Sequence, residues 1–75
     1  MGKLVNISGR KAIKAFHKIG YILSRREGSH MILYNPKPGY PILSIPDHKE
    51  LAPYLLKREI QRSHLTVEQF LKLLK

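Results

Sequence analysis

Tyr21-Ile22-Leu23-Ser24-Arg25-Arg26-Glu27-Gly28-Ser29-His30-Met31-Ile32-Leu33-Tyr34 is the stretch that decides the fold. Two runs of strand-forming residues flank a short polar turn, the pattern of an antiparallel hairpin. We read Tyr21 to Arg26 as the first strand, Glu27-Gly28-Ser29 as the turn and His30 to Tyr34 as the second strand. Pro36-Lys37-Pro38-Gly39 is a loop by its turn chemistry, and Pro41 to Ile45 is a third strand ended by Pro46. Connections this short favour an antiparallel meander. The strands alternate poorly. Ile32 and Tyr34 face one way and Met31 and Leu33 the other, while Ile42 opposes Leu43 and Ile45. One face packs on helices, and the second is apolar enough to imply a partner that covers it part of the time.

Helices are expected on both sides of this meander. Ser8 is a good N-cap for a helix running to about Ile19, with Gly20 as a left-handed stop. Ala12, Ile13, Phe16 and Ile19 form its apolar stripe, and Arg10, Lys11, Lys14 and Lys18 charge the other side with no acid among them. A second helix begins at Pro53 and runs to about Ser63, anchored by Leu56 and Ile60, with Asp47 to Leu51 as an irregular connector before it. Thr66-Val67-Glu68-Gln69 matches a capping box that opens a short last helix. The fold class is α+β, in the order α-β-β-β-α with an additional C-terminal helix. Helices on one face of a three-stranded antiparallel sheet is the arrangement of double-stranded-RNA-binding domains.

Composition bounds the partners. Seventy-five residues, 43% of them hydrophobic, support one modest core, so residues 1–75 are read as a single domain. Fourteen Lys and Arg against five Asp and Glu leave a formal charge of +9. Such a surface points to a polyanion, and phosphate backbones are the commonest. There is no cysteine, which removes disulfides, thiolate metal sites and thiol nucleophiles. No apolar run approaches the roughly 18 residues of a membrane span, so the expectation is a soluble cytoplasmic protein with no membrane partner.

Among the four histidines, His17 and His64 read as a surface residue and a helix-end residue. His48 lies beside Lys49 in the connector, within reach of a bound phosphate. His30 opens the second strand directly after Gly28-Ser29, a small pair that lets a ligand backbone come close, with Arg25 and Arg26 on the neighbouring strand. Cleaving RNA without a metal needs a base for the 2′-hydroxyl proton and cations for the phosphorane. His30 and the basic cluster match those two needs. An ordinary hydrogen-bonded strand-end histidine explains the same spacing equally well. The acids are scattered, with Asp47-His48 and Glu50 the nearest thing to a ligand cluster, so neither a metal site nor a cofactor is expected.

Four segments together resemble the HicA family of mRNA-interferase toxins. They are Gly20-Tyr21, Arg25-Arg26-Glu27-Gly28-Ser29-His30, Ile45-Pro46-Asp47-His48-Lys49-Glu50-Leu51 and Leu65-Thr66-Val67-Glu68-Gln69-Phe70-Leu71. The resemblance implies a double-stranded-RNA-binding-like fold, endoribonuclease activity on mRNA and inhibition by a HicB-type antitoxin that blocks the active site. It puts the catalytic histidine at His30 and places His48 at a recurrent family position, and we take His48 and Ser29, which shapes the turn with Gly28, as auxiliary candidates. Arg10, Lys11, Lys14, Lys18, Arg25, Arg26 and Gly28 form the expected RNA-binding set. The chain is expected to be monomeric when free and to join a higher-order complex with its antitoxin. Two departures stand out. Tyr54-Leu55 replaces the family's usual Gly-Thr at the entry of the second helix, and His64 replaces a glycine at its end. Two readings from other classes remain beside the enzyme. One is a non-catalytic double-stranded-RNA-binding module, and the other is a subunit whose basic surface only docks an acidic protein.

Overall fold

A computed structural model describes residues 3–75. Its elements are α1 (Gly9–His17), β1 (Ile22–Glu27), β2 (His30–Tyr34), β3 (Leu43–Pro46), α2 (Pro53–Arg62) and α3 (Val67–Leu73). The three strands form one antiparallel sheet in the order β1-β2-β3. The α-β-β-β-α order with a further C-terminal helix is the architecture expected from the sequence.

Local signals set most boundaries. Ser8 caps α1 by accepting the Lys11 amide, and Thr66 and Gln69 complete the capping box of α3. α1 ends two residues earlier than the expected Ile19, because Lys18, Ile19 and Gly20 unwind into tighter turns that finish at Gly20 with φ +107°. Tyr21 is not part of the first strand. Its ring is buried in the core and its hydroxyl donates to the Pro41 carbonyl at 2.8 Å, so the strand starts at Ile22. The same bond holds Pro41 outside the ladder, and β3 starts two residues later than expected. Glu27 belongs to β1 and pairs with His30, which leaves Gly28-Ser29 as a two-residue hairpin loop. Gly28 has φ +61° and Ser29 does not enter the left-handed region, the pattern of a type II′ turn.

The core lies between the sheet and the helices. Ala12, Ala15 and Phe16 of α1 meet Met31, Leu33, Leu43 and Ile45 of the sheet, with Leu56 and Ile60 of α2 and Phe70 of α3 closing the layer. Phe16 stands at its centre, 5.0 Å from the Phe70 ring and edge-on to Tyr21 at 6.0 Å. Ile13 and Ile19, both expected in the core stripe, are only partly buried against it, and Ala15 is buried in the core instead.

Two features fix how the helices sit on the sheet. At the start of α1, a Cβ on Gly9 would stand 2.1 Å from the Pro46 carbonyl oxygen, so only glycine allows this approach. The Gly9 amide then donates to the His48 carbonyl at 2.9 Å. At the far edge, α2 presents Glu59, only 1% exposed, whose Oε2 accepts the Ser44 amide of β3 at 3.1 Å. Its Oε1 accepts from Arg58 and Arg62 at 3.3 Å each. An edge strand otherwise offers free amides to any passing chain, and this carboxylate satisfies one of them.

His64 occupies the residue after the α2 cap with φ +64°, a conformation that favours glycine. Its imidazole offsets that strain by donating from Nε2 to the Gly39 carbonyl at 2.7 Å and by an edge contact with Tyr40 at 5.2 Å. This accounts for a histidine where the resemblance expects glycine.

Gly9→Ala should cost about 1–3 kcal/mol of stability through overpacking against the strand backbone. Thermal unfolding followed by circular dichroism checks this, with a lowering of roughly 4–8 °C for each kcal/mol lost in a domain of this size.

Candidate functional site

Pairing across the hairpin decides which side chains share a face. Ile22 pairs with Tyr34, Leu23 with Leu33, Arg25 with Ile32, Arg26 with Met31 and Glu27 with His30, and a bulge at Ser24 breaks the alternation. Since Met31 and Leu33 point into the core, Arg26 belongs to the helix-covered side. Arg25, Glu27 and His30 belong to the open side. Strand alternation puts these two adjoining arginines, expected to act together, on opposite faces, and the bulge before them decides that Arg25 takes the open one.

On the open face, His30 Nδ1 lies 3.2 Å from Ser44 Oγ, a diagonal contact from β2 to β3. Nε2 has no protein partner among the described residues. Glu27 is the residue directly opposite His30 on β1, and its carboxylate accepts from Arg25 Nε at 2.6 Å. His30, Arg25 and Glu27 are all exposed. Around them the same face carries Ile22 at 47%, Tyr34 at 46% and, just ahead of β3, Ile42 at 52% exposure. The expected second apolar face is real, with an imidazole at one end of it.

Arg26 and Arg10 meet on the other side of the sheet. Both donate to the Asp47 carboxylate, Arg10 through Nε at 3.2 Å and Nη2 at 3.3 Å and Arg26 through Nη2. The Asp47 amide donates to the Ser29 carbonyl at 2.7 Å. This clamp joins α1, β1, the hairpin loop and the connector. Hydrogen bonds from Arg10 and then Arg26 hold the Asp47 carboxyl down at about 2. The Arg10 guanidinium is raised in turn by the same carboxylate.

The remaining sequence candidates are dispersed. His48 is exposed in the connector, where its carbonyl caps Gly9, and no hydrogen bond joins it to His30 among the described residues. Gly28 is needed for its φ of +61° in the turn and not for space, since a Cβ there would meet nothing within 4 Å. Lys11, Lys14 and Lys18 lie with Lys3 around a groove of about 530 Å³ whose apolar lining includes Leu71 and Leu74. Lys18 Nζ donates to the Leu73 and Lys75 carbonyls at 2.7 Å each, so it caps the end of α3. No cluster of three or more His, Asp or Glu side chains suited to a metal ion occurs among the described residues. No helix among them is long and apolar enough to cross a membrane.

Sequence reasoning missed Ser44, Glu27 and Glu59, and weighed Asp47 only within a scattered acid cluster, not as the acceptor of two arginines. Ser44 could be found only from the register that pairs His30 with Pro46, two residues further on. Asp47 and Glu59 had no such signal, since their partners lie on other elements.

Three antiparallel strands backed by helices, strongly basic and with a histidine on the open face, define the class: a small cationic α+β domain of the α-β-β-β-α type. Within that class, the family model for the HicA toxin of bacterial toxin-antitoxin matches residues 9–65, and the chain belongs to this family. It is a toxin of the toxin–antitoxin kind, and membership implies an antitoxin partner. No curated protein and no solved structure matches the chain.

The Asp47 clamp predicts an acid-labile element of stability. The carboxyl is lower in the folded chain than its usual value near 3.9 in an unfolded one. Its contribution is therefore fully present above about pH 4 and is lost as pH falls towards 2. Urea unfolding between pH 7 and pH 2.5 should show this loss, and Asp47→Asn should be less stable at neutral pH with a flatter acid limb.

Proposed function

We propose that this domain is an endoribonuclease that cleaves mRNA without a metal ion, with His30 as its general base or acid and Ser29 shaping the loop beside it. The observation that carries the reading is an exposed imidazole on the open sheet face, held through Nδ1 with Nε2 unpartnered, in a chain of the HicA toxin family. Nε2 takes the proton of a ribose 2′-hydroxyl, and the 2′-oxygen attacks the adjacent phosphorus. The P–O5′ bond then breaks, leaving a 2′,3′-cyclic phosphate and a 5′-hydroxyl that gains a proton. Arg25, whose Nε is held by Glu27, offsets the charge that builds on the phosphoryl oxygens through its Nη groups. The proton for the leaving oxygen comes from His48, a lysine or water, and with only one placed histidine turnover is slow.

Other cations of the molecule suit backbone binding rather than chemistry. Lys11 and Lys14 are exposed on α1, in the helix layer, and can follow a phosphate chain there. Arg10, Arg26 and Lys18 already serve intramolecular contacts, so their contribution to RNA affinity is secondary. Gly28 permits the tight loop next to His30. A HicB-type antitoxin covers the open face, where Ile22, Tyr34 and Ile42 supply apolar area around the imidazole, and thereby blocks cleavage. The toxin acts in the cytoplasm, where mRNA is translated, as a monomer that enters a larger complex with the antitoxin.

The separation of Lys11 and Lys14 from His30 favours one second reading, a double-stranded-RNA-binding module without catalysis. A single experiment distinguishes them. Purified protein and His30→Ala are incubated with mRNA in excess chelator, and fragments and their termini are analysed. The expected result is cyclic-phosphate ends from the wild type and a loss of about 10²–10⁴-fold in the variant. Equal cleavage by both removes His30 from the mechanism. Salt-sensitive duplex binding with no fragments supports the binding module instead.

A further inference from the structure

We propose that Ser44 is the positioning residue of His30 and that Glu59 fixes Ser44 in turn, so that a buried carboxylate on α2 orients the imidazole on the opposite face of the sheet. The inference rests on the reading of His30 as the proton-transfer group. Two contacts meet at one residue: Ser44 Oγ lies 3.2 Å from His30 Nδ1, and the Ser44 amide donates to Glu59 Oε2 at 3.1 Å. Ser44 is half-buried and sits on the strand edge that α2 covers. Glu59 is 1% exposed. Burying a carboxylate is costly unless every lone pair is used, and here the two oxygens divide between Arg58 with Arg62 on one side and the strand amide on the other.

The direction of the Ser44 bond follows from the chemistry asked of the ring. Nδ1 is the nitrogen occupied by protein, so Nε2 is the one that meets substrate. A neutral imidazole acting as base at Nε2 must carry its proton on Nδ1, and an imidazolium acting as acid carries protons on both. In both states Nδ1–H donates and Ser44 Oγ accepts. A serine hydroxyl can also donate, so it is by accepting here that Ser44 favours the tautomer whose lone pair is available for reaction, a role played elsewhere by a carboxylate behind a catalytic histidine. A serine does this without adding negative charge to a face that must accept phosphate.

The test uses the full chain. Ring-nitrogen shifts of His30 in ¹⁵N-histidine-labelled protein, measured without RNA above the titration range, report the ratio of the two neutral tautomers. The wild type and Ser44→Thr should show the Nδ1–H form in excess. Ser44→Ala should shift the ratio towards Nε2–H and lower kcat about 10–100-fold with little change in KM. Glu59→Gln keeps an acceptor for the Ser44 amide and should retain the wild-type ratio, whereas Glu59→Leu should not; Ser44→Thr and Ser44→Ala decide the matter if Glu59→Leu does not fold. An unchanged ratio in Ser44→Ala overturns the inference, as does equal loss of activity in Ser44→Ala and Ser44→Thr. The failure of the underlying reading looks different, because His30→Ala would then cleave RNA like the wild type while the tautomer ratio still responded to Ser44.

Discussion

Where α1 begins, its backbone passes so close to the end of β3 that a single methyl group on Gly9 would stand 2.1 Å from the Pro46 carbonyl oxygen. That approach brings the Asp47 carboxylate within reach of Arg10 on the helix and Arg26 on the sheet. Three further bonds then fasten the connector: Gly9 to His48, Asp47 to Ser29 and Leu51 to Ile7. A chain this short has little core to spare, so directional contacts at one corner do much to set the angle between helix and sheet. The site depends on that corner indirectly. His30 begins β2 directly after Ser29, whose carbonyl receives the Asp47 amide, and His30 pairs with Pro46 on the other side.

The sheet is asymmetric in how its two edges are protected. β3 lies beside α2, and its Ser44 amide is taken by a buried carboxylate. β1 is exposed along all six of its residues. Arg25, Arg26 and Glu27 put charges on that unprotected strand, a common defence against unwanted strand pairing. The cationic surface is likewise divided. Arg25 shares the open face with His30, Lys11 and Lys14 belong to the helix layer, and Arg10 and Arg26 bind an internal carboxylate between them. A formal charge of +9 is therefore not one patch but several, with different work to do.

Much of the architecture is legible in the sequence because it depends on near neighbours. Ser8, Gly20, Pro53 and the Thr66–Gln69 box act within a few residues of the helix ends they define, and Gly28-Ser29 defines a hairpin whose second strand has the expected bounds. The misread strand starts have one cause in common. Tyr21 reads as a strand residue by propensity, but its hydroxyl reaches Pro41, twenty residues away, and the ring goes into the core. The candidate site is legible only as single residues. His30 follows from its turn, but its tether to Ser44 and the choice of Arg25 rather than Arg26 as the arginine on its face depend on register and on the bulge, which local patterning does not contain. His64 shows the reverse case: its departure from glycine is visible in sequence, and only the Gly39 and Tyr40 contacts make sense of it.

Ser24 bears on how this chain should be compared with its relatives. Because the bulge lets one extra residue pass without a cross-strand partner, the ladder on either side already keeps a regular register. A gene one codon shorter at that point would encode the same pairing, with Arg25 beside Ile32 and Arg26 beside Met31. Gaps are therefore to be expected at position 24 when homologous sequences are aligned. An ungapped alignment of a bulge-free relative that is matched from Ile22 onward would equate this chain's Arg25 with a residue of the wrong face. Assigning functional arginines across the family is thus a question of where the gap is placed before it is a question of which residue types agree.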